Sequence, residues 1–185
     1  PQLSGAVSGG CVEGAVIDAG RALSPKLLHF GVSDETAWEV GLACGGIIEV
    51  FVGELDRKTA VFTQTLRANN QAGAILTIIQ ADEELLGQTM CVTNAGITHG
   101  SFGKAMDTLV LQLDVRKSGR VWLTDGVELF VDAIRPAPTL VMVGGVHIAV
   151  GLAQFAKTVG YRTIIVDPRR AFGNDARFPD VDQVI

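Results

Sequence analysis

From Thr139 to Asp167 the chain reads TLVMVGGVHIAVGLAQFAKTVGYRTIIVD, two wholly apolar runs on either side of a helical one. Neither TLVMV nor TIIV shows the polar alternation of a half-exposed strand. Both therefore belong to a sheet covered on two faces, the usual setting of parallel strands. Between them HIAVGLAQFAKTVG has helical spacing and stops at Gly160. Strand, helix and strand in that order open a doubly wound α/β unit.

The turn after the first apolar run is Gly144-Gly145-Val146-His147-Ile148-Ala149. Set against the dinucleotide pattern G-x-G-x-x-G/A, Gly144 and Ala149 fit, while Val146 stands where a central glycine lets the backbone reach a pyrophosphate. Asp167 ends the next run, 23 residues after Gly144, where an acid bonds a ribose hydroxyl. Arg169 and Arg170 follow it and suit a 2′-phosphate instead. His147 opens the helix and faces either an acidic ligand or the backbone. Gly144, His147, Ala149, Asp167 and Arg169 are thus the candidate nucleotide site, with NAD(P) as its ligand.

Upstream, Arg135-Pro136-Ala137-Pro138 is a stiff, extended connector. It divides an amino-terminal mixed α+β domain, residues 1–135, from the first part of a Rossmann-like parallel α/β domain, residues 136–185. In the first domain a turn and helix are expected over Gly9–Leu23 and strands over Leu27–Val32 and Ile47–Val52, with a helix starting at Ser33 between them. Helices are also expected over Arg57–Asn70 and Phe102–Arg116, and strands over Ala72–Ala81 and Thr89–Asn94. RVWLTDGVELFVDAI reads as two strands joined through Thr124-Asp125-Gly126, a strong hairpin signal. The chain starts at Pro1 without Met and stops at Ile185 just after an apolar run. It is expected to be cut at both ends.

Of the 185 residues 48% are hydrophobic and 19% charged, enough to build a sizeable core. Fifteen basic against twenty acidic residues leave a net charge of −5, which argues against a general nucleic-acid binder. No apolar run reaches the ~18 residues that a membrane-spanning helix needs. The three cysteines, Cys11, Cys44 and Cys91, are far apart and form no CxxC pair. That fits a reduced, cytoplasmic chain better than a disulfide scaffold.

Two of those cysteines sit among glycines at element boundaries. Ser8-Gly9-Gly10-Cys11-Val12-Glu13-Gly14 places Cys11 where a helix begins, and Ala43-Cys44-Gly45-Gly46 echoes it. A helix starting at Cys11 would offer free N–H groups and a positive dipole end to a thiolate or an oxyanion. The plainer alternative for Cys11 is a small buried residue beside a tight turn. Gly45 and Gly46 either let Cys44 approach a ligand or simply stop a helix. Glu13 either orients a ligand amine or stabilises the helix start. A tetrahedral zinc site is not indicated, because closely spaced sets of Cys and His are missing. Cys91 and His29 fall in apolar strands, His99 in a loop, and Trp38 and Trp122 read as core or interface residues.

SGGCVEGAV, LLHFGVSDETAWEVGLACGGIIEVFV and LVMVGGVHIAVGLAQFAKTVGYRTIIVDPRRAF together resemble the XdhC/CoxI family, the maturation factors of xanthine dehydrogenase and related molybdenum hydroxylases. The resemblance implies a cytoplasmic chaperone for molybdenum cofactor (molybdopterin), an accessory factor with no turnover of its own. Such a protein holds the finished cofactor while a cysteine desulfurase installs a terminal sulfido ligand. It then delivers the cofactor to the apo-hydroxylase. The matching cofactor-binding positions are Ser8, Gly9, Gly10, Cys11, Glu13, Cys44, Gly45 and Gly46, with Cys11 and Cys44 as the molybdenum contacts. A homodimer is also implied. The alternative is an NAD(P)-dependent oxidoreductase that uses the Rossmann half and a redox-active Cys11 or Cys44.

Overall fold

The computed structural model describes residues 5–22, 24–31 and 46–185. It contains α1 (Glu13–Arg21), β1 (Lys26–Phe30), β2 (Ile48–Val52), α2 (Arg57–Ala68), β3 (Gly73–Gln80), β4 (Thr89–Thr93), β5 (Gly96–His99) and α3 (Lys104–Val110). These are followed by β6 (Gly119–Thr124), β7 (Val127–Ile134), β8 (Thr139–Val143), α4 (His147–Thr158), β9 (Arg162–Val166) and β10 (Gln183–Val184). The chain forms two compact units, Pro1–Leu66 with Ala72–Ile134, and Arg67–Gln71 with Arg135–Ile185.

The first unit is built on an antiparallel five-stranded sheet in the order β5-β4-β3-β7-β6. Alternation along each strand sends successive side chains to opposite faces. One face carries Ala74, Leu76 and Ile78 of β3, Met90 and Val92 of β4, and Leu129 and Val131 of β7, all buried. Phe102 and Val110, flanking and closing α3, pack onto them to complete the core. Two cross-strand rows run over the opposite face. His99, Cys91, Ile75 and Asp132 are in register on β5, β4, β3 and β7. Thr89, Thr77, Phe130 and Arg120 are in register on β4, β3, β7 and β6. This second face therefore mixes charged, hydroxyl and aromatic groups. A separate antiparallel pair, β1-β2, sets Leu28 against Val50.

The second unit is the expected βαβ, but among the described residues its sheet is not covered on both faces: α4 packs on the side of Met142, while Val141 is 54% and Val143 85% exposed on the other. Strands β8, β9 and β10 are parallel in the order β10-β9-β8, and α4 connects β8 to β9. Met142 and Ile165 from the sheet, Ala149 and Ala153 from the helix, and Phe178 form its core. The small helix residues at i and i+4 let α4 lie close against the strands. The α/β reading of the sequence holds: a mixed α+β part is followed by a Rossmann-like parallel part.

Three elements differ from expectation. His99 ends strand β5 rather than lying in a loop, because GITH turns back on β4 through Asn94 and Ala95. Four residues are too short a run for alternation to register. Helix α3 ends at Val110, well before Arg116, and the chain continues in turns closed by Gln112 N–H to Leu109 O and Leu113 N–H to Val110 O. Trp122 is 56% exposed and so is not a core residue. The helix read from Ser33, Trp38 and the segment around Cys44 and Gly45 lie outside the described residues.

Candidate functional site

Cys11 stands two residues before α1, which starts at Glu13 rather than at the cysteine. The reason lies in the glycines. Gly9 and Gly10 have φ of +78° and +123°, and that backbone path wraps residues 7–12 around the carboxylate of Glu13. Glu13 Oε1 accepts the N–H groups of Val7 (2.9 Å), Ser8 (2.8 Å) and Gly9 (3.0 Å). Its Oε2 accepts those of Gly10 (2.9 Å) and Val12 (3.2 Å) and the hydroxyl of Ser8 (2.9 Å). Ser8 Oγ in turn accepts the N–H groups of Cys11 and Val12, each at 3.0 Å.

The turn is thus an anion nest filled by the chain's own carboxylate. Donation from Ser8 is the largest influence holding the Glu13 carboxyl well below the ordinary glutamate range. The donors expected to face an external anion are engaged here by Glu13. What the turn presents is the half-buried Cys11 thiol on a rigid frame. Ser8, Gly9, Gly10, Cys11 and Glu13 are all brought together. Gly46 lies just ahead of β2, and Cys44 and Gly45 are outside the described residues.

In the second unit the glycine turn and Asp167 do meet. Asp167, 4% exposed, accepts the Gly145 N–H at 2.8 Å through Oδ2. Arg169 clasps it with Nε to Oδ1 at 2.9 Å and a terminal nitrogen to Oδ2 at 2.8 Å, and adds its backbone N–H. The Arg169 guanidinium, donating to Asp167, is the main cause holding that carboxyl far below the usual aspartate range. The guanidinium also lies 4.2 Å over the Phe172 ring. The Gly145 carbonyl accepts Arg177 Nε at 2.8 Å. A Cβ at Gly145 would fall 2.3 Å from the Phe172 carbonyl oxygen, which is why glycine is required there. The loop after β9 therefore folds onto the turn and engages both oxygens of the acid that a ribose would need. Ala149 is buried in the core, while His147 opens α4 in an exposed position.

Two polar clusters on the second face of the five-stranded sheet escaped the sequence reading. In one, Asp56 caps α2. Its Oδ1 accepts the N–H groups of Lys58 (2.8 Å) and Thr59 (3.0 Å), and its Oδ2 accepts the hydroxyls of Thr59 and, at 3.3 Å, Thr89. Thr59, donating to Asp56, is the main cause lowering that carboxyl's pKa. His99 Nε2 lies 3.8 Å from Asp56, and the buried Cys91 thiol donates to Thr59 Oγ1 at 3.8 Å. Burial raises the Cys91 pKa, so this thiol is a core group as expected.

In the other cluster, Arg120 donates to the buried Glu128 at 2.9 and 2.5 Å and also binds Glu49. Glu49 further pairs with His29 Nδ1 at 2.8 Å. Asp56 followed by Thr59 at a helix start is a capping signal that was readable in advance. The Arg120–Glu49 pair, 71 residues apart in sequence, carried no local signal. Among the described residues no group of three or more His, Cys, Asp or Glu side chains is placed to hold a metal ion. None of the described helices is long and apolar enough to cross a membrane.

Comparison with known proteins bears on the whole chain. Residues 140–184 match the family model of the XdhC Rossmann domain. A curated relative from Bacillus subtilis (strain 168), described as a probable xanthine dehydrogenase subunit, is 26% identical over 190 residues, covering 98% of this chain and 56% of the relative. A crystal structure described as a xanthine dehydrogenase from Bacillus halodurans has a similar fold, with a TM-score of 0.71 at 18% identity. That similarity covers 100% of this chain and 55% of the other. The chain thus spans just over half the length of the relatives it matches. Residues 140–184 match the XdhC Rossmann domain and fold as a parallel βαβ unit, and the resemblance to the XdhC/CoxI family read from the sequence is borne out.

Proposed function

We propose that the chain is part of a maturation factor that binds molybdenum cofactor for a xanthine dehydrogenase-type hydroxylase. It holds the finished cofactor while a cysteine desulfurase supplies the terminal sulfido ligand, then passes it to the apo-hydroxylase. It acts in the cytoplasm and as a homodimer. The observation that carries this reading is Cys11, a half-buried thiol held on a turn whose backbone is locked by Glu13. A partly accessible thiolate is a good ligand for a soft metal centre or a labile sulfur. Cys44 is the second cysteine of the motif pair. Glu13 and Ser8 position Cys11, while Gly9 and Gly10 supply the backbone path that makes the turn possible.

An NAD(P)-dependent oxidoreductase would need Asp167 free for a ribose. Its engagement by Gly145 and Arg169 favours the chaperone. Contact of Asp167 or Arg169 with NAD(P) would first require that clasp to open.

The test mixes the apoprotein with molybdenum cofactor released from a donor enzyme and measures bound molybdenum and pterin after gel filtration. Wild type is compared with Cys11→Ala, Cys44→Ala and Asp167→Ala. Retention lost in a cysteine variant and kept in Asp167→Ala is the expected result. Wild type that retains no cofactor, or loss confined to Asp167→Ala, would overturn the proposal.

A further inference from the structure

The second face of the five-stranded sheet opens into a cleft of about 650 Å³ within the first unit. That is the size of pockets that hold small organic ligands, about 300–1,000 Å³. Ile75, Thr77, Phe130 and Asp132 line it from β3 and β7, and Phe51 of β2 and Glu54 line it as well. Its lining therefore includes two aromatic rings together with aliphatic side chains, which suits a flat ring system.

The charges in the cleft are unbalanced. Arg120 is the cation among the lining residues, and it is already bound to Glu128 and Glu49. The Asp132 and Glu54 carboxylates, by contrast, have no hydrogen-bond or ion-pair partner among the described residues. A phosphate or carboxylate would find no free cation among these lining residues. A ligand that donates hydrogen bonds would find acceptors. Asp132 sits on a central strand, and a strand-borne carboxylate can accept two parallel N–H donors from one ring edge. Val7, the first residue of the Glu13-held turn, also lines the cleft, so the thiol-bearing turn adjoins it.

We infer that this cleft binds a flat heterocycle through an amino group next to a ring N–H, with Asp132 as the recognising carboxylate. Pterins and guanine share that edge. The inference stands on the cleft alone and rests on the proposed function only in making pterin the first probe.

The experiment titrates the chain with pterin, which carries neither molybdenum nor phosphate, and follows its fluorescence. Lumazine, with an oxo group in place of the 2-amino group, and guanosine serve as comparison ligands. Saturable pterin binding is expected, at least about tenfold weaker in Asp132→Asn, because a site built around a donor pair rejects a ligand or a partner that breaks it. Lumazine should bind weakly to both proteins. Asp132 is exposed on its strand, so its replacement leaves the core packing in place, and circular dichroism confirms the fold. Asp125→Asn, the same change at an exposed carboxylate in the turn between β6 and β7 and outside the cleft lining, should keep pterin affinity within about twofold. Guanosine binding more tightly than pterin would retain the edge and assign the cleft to a nucleobase. No pterin or guanosine binding by wild type, or equal binding by wild type and Asp132→Asn, would overturn the inference. Molybdenum retention by wild type without pterin binding would overturn this inference alone, and pterin binding without molybdenum retention would overturn the proposed function alone, so the two failures are separable.

Discussion

Ser8 and Glu13 are joined twice: the Ser8 N–H donates to Glu13 Oε1 at 2.8 Å, and the Ser8 hydroxyl to Oε2 at 2.9 Å. Around this pair the backbone of residues 7–12 closes into a ring of donors, and Cys11 rides on it. Glu13 and Ser8 therefore fix the backbone that carries Cys11.

Glu13→Gln is expected to loosen the turn, since an amide offers one acceptor oxygen and turns its NH₂ toward backbone donors. In a Cys44→Ser background, Cys11 should react severalfold faster with a thiol reagent than in the parent, while buried Cys91 stays slow. The wild-type turn has a defined pH dependence. The pKa of Glu13 is lower in the folded than in the unfolded chain, so the contribution of the turn is complete above the ordinary glutamate range, about 4.3, and is lost as pH falls through the depressed folded value. Unchanged Cys11 reactivity in Glu13→Gln would separate the nest from the thiol.

Gly145→Ala places a methyl group 2.3 Å from the Phe172 carbonyl oxygen, a backbone atom with little freedom to yield. Urea unfolding should show the second unit destabilised by about 1–3 kcal/mol, the usual cost of forced overpacking. Asp167→Ala should weaken the same unit by removing the acceptor for Gly145 and Arg169. As for Glu13, the folded pKa of Asp167 is depressed, so its contribution is present above the ordinary aspartate range and disappears in acid below it.

Removing Arg120 leaves Glu128, 3% exposed, as a buried charge without its partner. Arg120→Met should cost about 3 kcal/mol, the lower end for a broken buried pair, because Arg120 itself is 38% exposed. Adding Glu128→Gln should recover much of that loss, since the uncompensated charge is then gone. A double-mutant cycle followed by urea denaturation measures the coupling.

Leu129→Ala empties part of the core formed by β3, β4, β7 and α3. A loss of about 2–5 kcal/mol is expected in urea unfolding, with the spread set by how far neighbouring side chains collapse into the space. Phe130→Ala, the next residue but on the opposite face and 40% exposed, should cost much less.

What could be read in advance depends on how local each signal is. The apolar runs Leu140–Val143 and Thr163–Val166, the stop at Gly160 and the turn at Asp125-Gly126 all act within a few residues, and each element appeared where expected. The hydrophobic pattern also placed β3, β4 and β7, because a buried face forces alternation. By itself, then, the sequence determined the α/β class, the Rossmann-like opening and the glycine-flanked thiol turn. Only the tertiary structure decided what the polar groups do. It gave the Gly9–Gly10 donors to Glu13, closed Asp167 onto Gly145 and Arg169, and set Arg120 between Glu49 and Glu128. Strand register likewise brought Asp132, Phe130 and Thr77 to one face. Partner choice among polar groups depends on distances between residues remote in sequence or on backbone paths that only the folded chain defines. Neither is encoded in a local period.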